Sequence, residues 1–155
     1  MPTFDFETWC AELLDAYVAQ IESADIQWAT DGDGAPWIIQ GQRRPGGIDY
    51  PHAMILSFDA SRDTAQSSRH QELWRISTSV SVFDRGDPQR QEENLRQSVG
   101  QMAAVMTALY EDRSLDGTAD YLVLDTVDAF EMDTDDGRET VADVQLTISK
   151  TADLR

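Results

Sequence analysis

Gln71-Glu72-Leu73-Trp74-Arg75-Ile76-Ser77-Thr78-Ser79-Val80-Ser81-Val82-Phe83 is the stretch that decides the fold. Trp74, Ile76, Thr78, Val80 and Val82 fall on one side of it, and Arg75, Ser77, Ser79 and Ser81 on the other. Successive side chains of a strand point to opposite faces, so this period of two predicts a long strand with one face buried and one face open. Upstream, His52 to Asp59 carries Met54, Ile55, Leu56 and Phe58 and is short enough to prefer a strand to a helix. The polar stretch Ala60 to His70 then makes a flexible connection between the two, which pair as a hairpin.

Downstream, Asp87-Pro88 reads as a helix start, because Asp accepts amide hydrogen bonds at a cap and Pro has no amide to satisfy. The helix is expected to run to about Asp112, with Leu95, Val99, Met102, Met106, Leu109 and Tyr110 as its apolar stripe. Gly100 costs helix propensity, and close approach of another element is its expected gain. After Asp116-Gly117, Tyr121 to Asp133 and Arg138 to Lys150 read as two further strands joined by the turn Asp135-Asp136-Gly137.

Toward the N-terminus, Phe6, Trp9, Cys10, Leu13, Leu14, Tyr17, Val18 and Ile21 recur at spacings of three and four. They mark an amphipathic helix from Asp5 to Ser23, capped by Thr3 or Asp5. Asp25 to Trp28 and Trp37 to Gln40 are short extended segments flanking Asp31-Gly32-Asp33-Gly34, expected as a small hairpin. Gly41 to Tyr50 reads as an exposed loop. The expected fold is α+β over residues 1–155: a single domain with a mainly antiparallel four-stranded sheet, two helices on one face and a small N-terminal hairpin.

Asp and Glu number 29 against 12 Lys and Arg, a net charge of −17, and Lys150 is the only lysine. Self-repulsion of that size opposes compaction in dilute buffer, whereas at about 1 M salt the Debye length falls to about 3 Å and exposed charges hardly sense one another. An acidic, lysine-poor surface resembles proteins of salt-accumulating haloarchaea and their viruses. The same sign argues against binding nucleic-acid phosphates, which requires Lys and Arg to displace counterions. The N-terminus Met-Pro-Thr-Phe-Asp-Phe-Glu lacks a basic start and an apolar core segment, and no apolar run approaches the roughly 20 residues of a membrane span. The chain is expected to stay in the compartment where it is made, with no membrane partner.

No catalytic, cofactor or metal site is expected. Cys10 is the only cysteine and sits among apolar helix positions, as a buried inert thiol does. Asp31-Gly32-Asp33-Gly34 and Asp133-Thr134-Asp135-Asp136-Gly137 resemble the start of a calcium loop, but the twelfth positions are Gln42 and Val144 where such a loop needs Glu. His52 and His70 are the only histidines, there is no Gly-x-Ser-x-Gly elbow, and no glycine loop ends in Gly-Lys-Ser/Thr. The arginines at 43, 44, 62, 69, 75, 85, 90 and 96 stand out against the acidic background. They are either solvated cations of edges and loops or positions where a neighbour's carboxylates dock.

The run from Ser68 to Arg85, followed by a helix ending in Ala104-Val105-Met106-Thr107-Ala108-Leu109, resembles the tail terminator family, the tail-completion proteins of long-tailed viruses. The similarity extends to the first helix and the closing hairpin, and so spans most of the chain. It implies a homo-oligomeric ring, usually a hexamer, that caps the tail tube and joins it to the neck proteins. The expected partners are further copies, the tail tube protein and a neck or connector protein, with DNA passing an acidic bore without specific binding. The expected place is the tail or neck of a virion, assembled in the host cytoplasm. Under the resemblance, Arg43, Arg44, Arg69, His70, Arg75, Arg85 and Arg90 are the expected contact positions, and the chain's unusual acidity is its departure from the family. Another neck or tail structural protein is the alternative within that class. A small haloarchaeal binding module or enzyme is the alternative outside it, and that reading requires a deep pocket at His52 or His70.

Overall fold

The computed structural model describes residues 4–135 and 137–154; Thr3 and Asp136, named above for a cap and a turn, lie outside them. The elements are α1 (Phe6–Glu22), β1 (Ile38–Gln40), β2 (His52–Asp63), β3 (Gln71–Gly86), α2 (Gln91–Glu111), β4 (Tyr121–Thr134) and β5 (Gly137–Asp153). One five-stranded sheet has the order β1-β2-β3-β5-β4. The long central strand lies between β2 and β5 and is antiparallel to both, with β4 antiparallel on the outer side of β5.

Both helices cover one face. Trp9, Leu13, Tyr17 and Ile21 of α1 and Val105, Ala108 and Leu109 of α2 share a core with Ile55, Ile76, Val80, Val144, Leu146 and Ile148. Each large aliphatic side chain buried there contributes about 1.5–3 kcal/mol relative to exposure. Asp5 caps α1 by accepting from the Thr8 amide at 3.0 Å, as its position before the periodic run implies.

Several expectations need correction. The sheet is mixed and has five strands: Trp37 to Gln40 leaves the hairpin register, and Ile38–Gln40 adds in parallel to β2 at Ala53–Ile55. Asp31 closes its turn by accepting from the Asp33 and Ala35 amides, and Thr30 bridges Pro36, but Asp25 to Trp28 forms no strand. β2 runs on to Asp63 and β3 to Gly86, since the polar residues of Ala60 to Asp63 still pair with Leu73 to Ile76.

α2 begins at Gln91, four residues after Asp87, with Arg90 at the cap position and no side-chain cap bond. Asp87 folds a turn of its own instead, its carboxylate accepting from the Gln89 amide while Asn94 exchanges two hydrogen bonds with the Asp87 backbone. The buried line of α2 is rotated from the expected stripe and includes Asn94 and Ser98, whereas Leu95, Val99 and Tyr110 are exposed. Gly100 meets no close neighbour: a Cβ built there would find nothing within 4 Å.

Candidate interaction surface

The face of the sheet away from the helices divides in two. Around Ser57, Ser77, Ser79 and Gln145 it is polar and open, as the alternation in β3 predicts. At the other end the loop from Gly41 to Tyr50 folds over it, so Phe83 and Ser81, on the face expected to meet solvent, are buried. Met54, Phe83 and Val141 form a small second core under this loop, with Ile39, Tyr50 and Leu56 packed against it.

The loop is fastened by charge. The Arg44 guanidinium lies 4.3 Å above the Phe83 ring and donates to Glu139 Oε2 at 2.6 Å. The Tyr50 hydroxyl donates to the same oxygen, also at 2.6 Å. Burial, and then the Glu139 carboxylate it faces, push the Tyr50 hydroxyl pKa up. His52 is fully buried between the Tyr50 and Phe83 rings, with Nδ1 2.9 Å from the Asp49 carbonyl. Burial holds its ring below the ordinary histidine pKa, because a charged imidazolium there would lose its hydration. Arg85 lies over the outer side of Tyr50, and Arg44, Arg85 and Arg138 border a cavity of about 570 Å³ beside Gly46 and Gly47.

The structure therefore brings together only part of the expected contact set. Arg44 and Arg85 share that cavity, and Arg43 is exposed next to it in the chain. Arg90 belongs to the turn before α2, where it pairs with Asp87 and Glu93. At the opposite end of β3, Arg75 binds Asp63 at 2.5 Å, and Asp63 also accepts from the Ala65 and Gln66 amides, so this pair orders the connection that carries exposed Arg69 and His70. Arg138, missed as a contact residue, holds Glu131 and Asp133 across the β4–β5 hairpin. No group of acidic, histidine or cysteine side chains suited to a metal ion occurs among the described residues. Cys10 is half-buried, and burial raises its thiol pKa, away from the reactive thiolate.

The exposed apolar residues are the more telling feature. Seven large ones occur among the described residues: Leu95, Val99 and Tyr110 on α2, and Tyr121, Val123, Phe130 and Met132 on β4. The four on β4 all point to the face away from the helices, since their partners on β5 are the odd-numbered Ser149, Thr147, Val141 and Glu139, while the even positions from Ala142 to Ile148 enter the main core. On α2, Gly100, Ala103, Ala104 and Thr107 border the groove beside the end of α1. At 100° per residue, Leu95 and Val99 point away from Gly100 and Ala104, to the other flank, whereas Tyr110 stays within about 20° of Ala103 and has Arg113 over its ring. α2 packs on β5 and β4, so that flank looks over the outer edge of β4.

β4 is 14 residues long, and among the described residues no backbone hydrogen bond reaches its outer edge. A long unpaired edge with apolar side chains above and below is a docking surface, because it offers backbone donors and acceptors together with area to bury. The sequence did carry a signal for it: Tyr121 to Met132 has apolar residues in both strand registers, more than one covered face requires.

None of the helices among the described residues is long and apolar enough to cross a membrane. No protein-family model matches this sequence, and no curated protein sequence matches it.

Proposed function

We propose that this chain is a structural subunit of a virion, a tail-completion protein whose copies form a ring that caps the tail tube and meets the neck. The observation that carries the reading is the apolar exposure gathered around the unpaired edge of β4 in a chain of net charge −17. Exposed large apolar residues concentrated on one flank mark an assembly surface. The resemblance of the Ser68–Arg85 run and the helix after it supplies the kind of assembly. The two histidines stand apart from this surface: His52 is sealed behind Tyr50, and His70 is exposed at the far end of β3.

In such a ring the acidic residues would line or flank the bore and repel DNA phosphates, so the genome passes without adhering. Exposed ion pairs between neighbours set register and contribute only about 0–1 kcal/mol each, leaving apolar area and backbone pairing as the main attractions.

The test is mass in solution at about 1–3 M salt, where repulsion between copies is screened. A discrete closed ring, hexameric by light scattering and visible end-on by electron microscopy, is expected; a monomer at micromolar concentration overturns the reading. The thermal midpoint should rise steadily between about 0.1 and 3 M salt, and a midpoint that does not move would remove the high-salt half of the proposal.

A further inference from the structure

The two edges of the sheet differ in charge as well as in position. On the β4 side, Asp125, Asp128, Asp133 and Asp135 are exposed, and the arginine of the hairpin, Arg138, is already held by Glu131 and Asp133. At the other edge β1 covers only Ala53–Ile55 of β2. Beyond it, Phe58 to Arg62 has no backbone partner on its outer side among the described residues. The exposed arginines of that side are Arg43 in the loop after β1, Arg62 on β2 and Arg69 in the connection to β3. Arg43 and Arg69 make no ion pair among the described residues, and Arg62 reaches Glu72 only at 3.5 Å.

We infer that the β4 edge of one copy docks against the Phe58–Arg62 edge of a second copy, so that the sheet continues from subunit to subunit. This deepens the ring reading above and rests on it. A strand edge is satisfied by another strand edge, and this chain has two, one bordered by carboxylates and one where Arg43, Arg62 and Arg69 outnumber the exposed Asp59 of the edge itself. A two-fold pairing of β4 with β4 would set Asp125 and Asp128 of both copies against one another, which the repulsion of like charges opposes. Pairing unlike edges leaves each copy with one free edge of each kind. The contact is therefore head-to-tail and repeats until it closes on itself, as a ring requires. The apolar residues on either side of β4 are then covered together: Tyr121, Val123, Phe130 and Met132 below the strand, and the Leu95–Val99 flank of α2 above it.

Two single-cysteine chains, both carrying Cys10→Ser, test this: one has Asp128→Cys on β4, the other Ala60→Cys on β2. Asp128 and Ala60 are both exposed, and circular dichroism with the native spectrum confirms that each variant folds. The chains are mixed at about 1 M salt and treated with a short bis-maleimide, whose reach tolerates a register offset of a residue or two. The expected result is a mixed 128–60 product exceeding the 128–128 product about tenfold, and a ladder of multimers when both cysteines are placed in one chain. A dominant 128–128 product overturns the head-to-tail contact. Full-size rings with neither product show that the subunits meet through another surface, so this inference fails while the ring reading stands. Chains that remain monomeric under these conditions overturn both.

Discussion

The two helices lie side by side on the same sheet yet relate to solvent in different ways. α1 has Asp5 at its cap and turns Trp9, Leu13, Tyr17 and Ile21 fully inward, and its exposed positions are polar or small. α2 has no side-chain cap and buries Asn94 and Ser98, while Leu95, Val99 and Tyr110 stay in water. Asn94 is committed to the Asp87 turn, and Ser98 donates to the Val141 carbonyl at 2.5 Å, so polar residues do the docking of its first turns onto the sheet. α1 is thus shaped by the needs of the monomer. α2 keeps apolar side chains that the monomer does not use, and that is the mark of a surface reserved for something else.

Single substitutions can break or sharpen this contrast. The largest effect belongs to the buried line of α1: Leu13→Ala should cost about 3 kcal/mol by denaturant unfolding at fixed high salt, because Leu13 is fully buried in the main core. A cost below about 1 kcal/mol would mean that α1 is not the anchor described here. Next comes its cap, where Asp5→Ala should cost about 1 kcal/mol, whereas Arg90→Ala, removing a residue that caps nothing, should be near neutral.

Gly100→Ala on α2 should stabilise the chain by roughly 0.5–1 kcal/mol, since the position is helical and the added methyl meets nothing within 4 Å. Leu95→Ala and Val99→Ala should change unfolding by no more than about 0.5 kcal/mol. The same two changes should weaken assembly measurably in a dilution series, and if they destabilise the fold while leaving assembly intact, the α2 flank is structural after all.

A control that touches neither helix comes from His52. Its folded pKa lies below the unfolded value of 6.5, so the unfolded chain takes up a proton first as pH falls. Stability is therefore complete above about pH 6.5 and declines below it. His52→Phe should flatten this slope between about pH 5 and 7, a range above the ordinary titration of the carboxylates. Arg44, Glu139 and Asp84 face the ring in both proteins, so their fields are common to the comparison.

Much of this architecture is legible in the residues. The period of two in β3 and the clean stripe and cap of α1 lead directly to strand, helix and covered face, because one local rule governs each. α2 misleads for a physical reason: a reader puts Leu95 and Val99 inside and Asn94 and Ser98 outside, and only the backbone groups they meet, at Asp87 and Val141, reverse the order. The parallel addition of Ile38–Gln40 and the Arg44–Glu139 pair are beyond reading along the chain, since each depends on a partner far away in sequence. Of the expected contact residues, Arg44 and Arg85 were visible as unusual cations, but their loop-fastening role appears only when Tyr50, Phe83 and Glu139 are placed around them.

The grip of Arg44 on Glu139 has a consequence for life in brine. Mobile ions weaken an attraction by crowding around the charges, and the Glu139 side chain, only 3% open to the surroundings, leaves them almost no room to gather. Where concentrated electrolyte dissolves the pull between surface residues, this fastening, with Arg44 itself 30% open, weakens far less, and the loop over Phe83 stays shut in a medium that loosens the fully exposed ionic contacts.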